Sequence, residues 1–141
     1  GFCHFSLVDA RDHAAVTWSV LDAERRPKAG FRVLADACRP VLVTADRPPR
    51  TVQPGRALAL DVHVVNDLRT ALDDAIVEAV ATWSGGHHRW RWQGDVGADD
   101  VTRVGTIQLV VPDAEGSLEL ALHLTHPQAT SDNAYGTVIS R

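Results

Sequence analysis

Apolar and polar positions alternate along most of the chain. Leu58, Leu60, Val62 and Val64 interleave with Ala59, Asp61, His63 and Val65, the period of a strand that turns one face to a core and the other to solvent. The pattern returns over residues 76–83, 87–92 and 104–111. It is sharpest where Leu118, Leu120, Leu122 and Leu124 alternate with Glu119, Ala121, His123 and Thr125, and it comes back more weakly over residues 135–139. Turn-forming residues fall between these runs at Asn66-Asp67, Gly85-Gly86, Gly94-Asp95, Pro112 to Gly116 and Ser131-Asp132-Asn133. With residues 40–45 as a leading edge strand, the pattern predicts about seven strands over residues 41–141. Leu60, Val62, Leu120 and Leu122 are expected in the core. Such a run of short alternating strands is the signature of a mainly β chain folded as an immunoglobulin-like antiparallel β-sandwich, here without the Cys pair and intervening Trp of antibody domains.

Residues 1–40 follow another rule. Residues 1–8 read as an apolar buried strand, Asp9 to His13 as a polar loop, and residues 15–21 as a short apolar piece. Phe31, Leu34, Ala35 and Cys38 then fall at i, i+3, i+4 and i+7, one face of a helix. Pro27 suits the first turn of that helix and Pro40 its end. The result is a βα unit, which by itself cannot cover both faces of a parallel strand. A Pro-rich joint, Asp46 to Arg50 and Gln53-Pro54-Gly55, introduces the alternating region.

Composition narrows the classes. A chain of 141 residues holds one ordinary domain plus a fragment, and an opening on Gly1-Phe2-Cys3-His4-Phe5 without a start residue reads as a piece of something longer. Apolar residues at 45% and charged residues at 23% fit a soluble globular domain. The apolar stretches are of strand length, too short for a spanning helix, and the compartment stays open. A net charge of -4 with no basic run gives no cationic face for a nucleic acid. Cys3 and Cys38 form no CxxC, so they read as buried thiols, not as a zinc site or a disulfide framework.

Thr17-Trp18-Ser19-Val20-Leu21-Asp22, then Arg25-Arg26-Pro27-Lys28-Ala29-Gly30-Phe31, then Cys38-Arg39-Pro40-Val41 together resemble the end of the catalytic barrel in β-mannosidase-like glycoside hydrolases of family 2. The resemblance is most specific over residues 15–41. It implies that residues 1–40 are the last strand and helix of a TIM barrel and that a C-terminal immunoglobulin-like sandwich follows at residues 41–141. It also implies that the two catalytic Glu residues of a retaining glycosidase lie upstream of Gly1, so that this chain carries no catalytic residue and is inactive alone. The remainder of the parent glycosidase, the barrel, would be its partner. Related enzymes place a Trp beneath the sugar where this chain has Phe5, and an Asp where it has Asp9. Phe5 and Asp9 are therefore candidate substrate-binding residues, with Asp12 and His13 beside them in the same loop.

Trp90 and Trp92 share one face of a strand with His88, while Arg89 and Arg91 take the other. Two indoles in phase would form a platform for a pyranose ring, or else pack inward. They define an alternative function, a carbohydrate-binding module, beside a third, an immunoglobulin-like interaction domain with a naked edge or apolar patch. His87 and His88 point to opposite faces, as do His123 and His126, so nothing in the sequence requires a metal or a cofactor.

Overall fold

The computed structural model describes residues 6–10 and 18–141. The chain divides into two compact units, Gly1–Arg39 and Pro40–Arg141.

In the first unit the helix α1 spans Ala29–Ala37. It begins after Pro27, not on it: Lys28 is the N-cap residue and provides no side-chain cap, because an ammonium has no acceptor for the helix N–H groups; it donates instead to Asp9 and Ser19. Leu21 forms a parallel bridge with Val8 and an antiparallel one with Pro27. Asp22 closes the turn between them, its Oδ1 accepting hydrogen bonds from the backbone N–H groups of Glu24 (3.0 Å) and Arg26 (2.7 Å), with Arg25 in the left-handed region at φ 65°. The helix ends where expected, just before Pro40. Its apolar stripe is only partly covered: Phe31 and Leu34 are half-buried, Ala35 and Cys38 are exposed, and α1 has no buried residue. Cys38 is exposed, which corrects its reading as a buried thiol; Cys3, and the expected strand at residues 1–5, lie outside the described residues.

The second unit is built from eight strands, the described residues of which are β1 (Val41–Ala45), β2 (Thr51–Val52), β3 (Ala57–Asn66), β4 (Leu72–Trp83), β5 (Gly86–Val96), β6 (Asp100–Val110), β7 (Gly116–His126) and β8 (Ala129–Ile139). They form two sheets, β1-β3-β6 and β2-β8-β7-β4-β5. All pairings are antiparallel except that of β2 with β8. The core lies between the sheets, and the alternation read from the sequence decides what enters it: Leu60, Val62, Leu120 and Leu122 are all buried, with Val64, Leu72, Val77, Ile107 and Leu124 beside them.

Two of the expected turns lie inside strands. Gly94-Asp95 belongs to β5, and Ser131-Asp132-Asn133 belongs to β8. The second case has a physical reason. β1 is an edge strand, and the polar residues of β8 satisfy that edge: the Val43 N–H donates to Ser131 Oγ (3.1 Å), Asn133 Nδ2 donates to the Val43 carbonyl (3.1 Å), and the Ala45 N–H donates to the Tyr135 hydroxyl (3.0 Å). Side chains that usually break strands here replace a missing neighbour for β1 and blunt its edge. The added β2 arises within the Pro-rich joint, where Thr51 and Val52 run parallel to Val138 and Ile139.

Candidate functional site: the outer face of the five-stranded sheet

Because β5, β4, β7 and β8 are adjacent, their registers set outward side chains in rows across the sheet. Arg91 pairs with Glu78, Glu78 with His123, and His123 with Asp132. The next row is Arg89, Val80, Ala121 and Ala134. The first row is long and charged and the second is mostly short and apolar, so the surface sinks along Val80 and Ala121. The result is a groove of about 540 Å³ lined by Glu78, Val80, Arg89, Arg91, His123 and Asp132 among others, a volume within the roughly 300–1,000 Å³ of small-molecule sites. His123 Nδ1 is hydrogen-bonded to Asp132, which fixes the imidazole in the charged row. Among the described residues, Arg89, Arg91 and Glu78 make no ion pair within 4.0 Å. The groove thus offers two free guanidinium forks and a free carboxylate.

The residues singled out from the sequence fall elsewhere. Trp90 and Trp92 sit on the inward face of β5, partly buried and packed against the hydrophobic core, with the His88 ring tilted against Trp90 at 4.4 Å between centroids. Trp92 lies directly over Gly105 of β6, where a Cβ would come within 2.1 Å of its Nε1. The indole therefore closes the gap between the edge strands of the two sheets. The open pyranose platform that these two residues would have made is not formed, because the interior side of β5 is the apolar one.

Asp9 lies in the first unit. Its carboxylate accepts from Lys28 Nζ, at 2.8 Å to Oδ1 and 2.7 Å to Oδ2, and from the Ser19 hydroxyl; Lys28 Nζ also donates to Ser19 Oγ at 2.8 Å. The Lys28 hydrogen bond, then the Ser19 hydrogen bond, holds the Asp9 carboxyl below its usual range. Trp18, next to Ser19, is 83% exposed. Phe5, Asp12 and His13 lie outside the described residues.

A second carboxylate is tuned on the outer face of the three-stranded sheet. Asp61 Oδ1 accepts from Thr106 Oγ1 (2.5 Å) and from the Arg103 guanidinium (3.0 Å). These two bonds, Thr106 first, lower its pKa. A depressed carboxyl contributes stability above its unfolded pKa of about 3.9 and loses it as the pH falls through the lower folded value. Thr106→Val is accordingly expected to reduce stability at neutral pH, with the difference from the parent chain shrinking as the pH drops below about 4. Urea unfolding across pH 2–7 measures this, and a difference independent of pH would refute it.

The groove on the five-stranded sheet was missed in the sequence. Alternation places Arg89, Arg91, Glu78, His123 and Asp132 outward on their strands, but nothing local shows that these strands are neighbours in this register. Among the described residues no three His, Cys, Asp or Glu side chains are placed to hold a metal ion, and no helix is long and apolar enough to cross a membrane.

Two sheets packed with this strand order define an immunoglobulin-like β-sandwich. The fold is similar to that of the CARDB domain of the PF1109 protein from Pyrococcus furiosus, crystallised in complex with di-metal ions, at 15% identity and a TM-score of 0.52 over 71% of this chain and 85% of that one. The solution structure of the same domain matches at 14% identity and a TM-score of 0.51 over 72% and 96%. The sporulation control protein Spo0M from Bacillus subtilis matches at 10% identity and a TM-score of 0.49 over 73% of this chain and 50% of that one. At such identities the likeness concerns the fold alone. No protein-family model and no curated protein matches the sequence.

Proposed function

We propose that this chain is the non-catalytic C-terminal part of a retaining glycoside hydrolase resembling β-mannosidase, with residues 1–40 as the last βα unit of its barrel and the sandwich as an accessory domain. The polar knot of the first unit is the observation that carries this reading. Ser19 and Lys28, both within the segments that resemble the family, converge on Asp9, so the resemblance is made of side chains that hold one another in place. The incompletely covered stripe of α1 supports it further: a helix with Phe31 and Leu34 half-buried, Ala35 and Cys38 exposed and no residue buried is suited to a larger barrel wall. The parent reaction would be hydrolysis of terminal β-mannosidic or related bonds, with both Glu residues upstream.

The purified chain is expected to show no turnover of aryl β-mannoside or β-galactoside. In hydrogen exchange its α1 amides are expected to exchange far faster than those of β4 and β7. Turnover that survives removal of contaminating enzyme would refute the non-catalytic assignment. A monomer whose α1 is as protected as β4 would refute the barrel-fragment assignment.

A further inference from the structure

The geometry points to a binding site for a neutral oligosaccharide in the groove on the outer face of the five-stranded sheet; the choice of mannosides as first probes rests on the glycosidase reading above, but the site itself does not. The trough crosses β5, β4, β7 and β8, and four strands at about 4.8 Å spacing give it a length of roughly 14 Å, enough for a short oligosaccharide. Its floor is Val80 and Ala121, whose methyl groups suit the C–H face of a sugar ring. One end and one wall carry donors, the Arg89 and Arg91 guanidiniums; the same wall carries acceptors, the Glu78 carboxylate and the His123-bonded Asp132.

The charges decide the ligand class. Two guanidiniums stand against two carboxylates in the lining, so Arg and acidic side chains balance and leave little net field to favour an anion such as phosphate. A ligand that needs planar donors and planar acceptors together, over an apolar floor, is one whose groups are donor and acceptor at once. Sugar hydroxyls are such groups. Arg89, Arg91 and Glu78 are available for them, since none spends its hydrogen bonds on an internal ion pair, whereas the Arg69–Asp99 and Arg103–Asp61 pairs elsewhere on the sandwich do. Among the described residues that line the groove the one indole, that of Trp90, packs against the core, which implies weak binding governed by hydrogen bonds.

Titration of the full 15N-labelled chain with β-1,4-mannotriose, cellotriose, glucuronate and inorganic phosphate, read by amide chemical shifts, tests the site. Saturable shifts clustered at residues 78–80, 89–91 and 121–123 with a neutral trisaccharide are expected. Arg91→Ala and Glu78→Gln, both on the exposed face, are each expected to weaken binding about tenfold without changing the rest of the spectrum. Cellotriose acting in place of mannotriose would support the site while counting against the mannosidase reading. Stronger shifts at the same amides with phosphate or glucuronate would overturn the proposal in favour of an anion site. Shifts only at other residues, or none with either trisaccharide, would overturn it outright, and leave the barrel test above untouched.

Discussion

Asn66→Ala is expected to destabilise the sandwich by about 2–3 kcal/mol. Asn66 is fully buried at the end of β3, and its side chain is satisfied on every side. Nδ2 donates to the carbonyls of Thr70 (2.9 Å) and Gly97 (2.8 Å), and Oδ1 accepts from the Leu68 N–H (3.1 Å). One amide therefore ties together the β3–β4 connection and the β5–β6 turn, two of the places where the chain passes from one sheet to the other. Truncation leaves a cavity and three unpaired backbone groups. Asn66→Asp is expected to cost at least as much at neutral pH, because a carboxylate keeps the acceptor but turns negative charge on two carbonyl oxygens. Urea unfolding gives the values, and a loss below about 0.5 kcal/mol for Asn66→Ala would show that the connections hold without it.

Gly105→Ala is expected to cost about 2 kcal/mol, within the range for overpacking a filled core, and Gly105→Val more. The indole of Trp92 occupies the space a side chain would need, with three of its ring atoms within 2.7 Å of an ideal Cβ at residue 105. Since Trp92 packs against the core from the edge strand β5, moving it would open the sandwich along β5 and β6. A double-mutant cycle isolates the effect. In a Trp92→Ala background the same Gly105→Ala change is expected to be neutral or slightly stabilising, because Ala loses less backbone entropy than Gly in a strand. An equal loss in both backgrounds would mean that the glycine is needed for the backbone and not for the indole.

Both residues show how far the chain can be read locally. Asn66 was visible as a turn signal, and it does end β3, but its three hydrogen bonds reach residues 68, 70 and 97, and a pattern with period two does not record those distances. Gly105 sits in an alternating run like any other small residue, and its reason lies on a strand of the opposite sheet. The same is true of Ser131, Asp132 and Asn133. Their composition marks a turn, yet β1 supplies partners for Ser131 and Asn133, and β7 supplies His123 for Asp132, so the strand runs through them.

The candidate site divides along the same line. Once residues 87–92 are a strand, Trp90 and Trp92 must share one face and Arg89 and Arg91 the other. Which face is the inner one is decided by burial, and the large apolar rings win it over the guanidiniums. That choice turns attention from the indoles to the arginines. The sequence by itself determined the mainly β class, the inward residues of β3 and β7, and the helix before Pro40, because strand and helix periods are local consequences of backbone geometry. Only the tertiary structure decided that β5, β4, β7 and β8 lie side by side with Arg91, Glu78, His123 and Asp132 in one row. Strand order and register follow from contacts between residues tens of positions apart, and such contacts are settled by how the two sheets fill a common core.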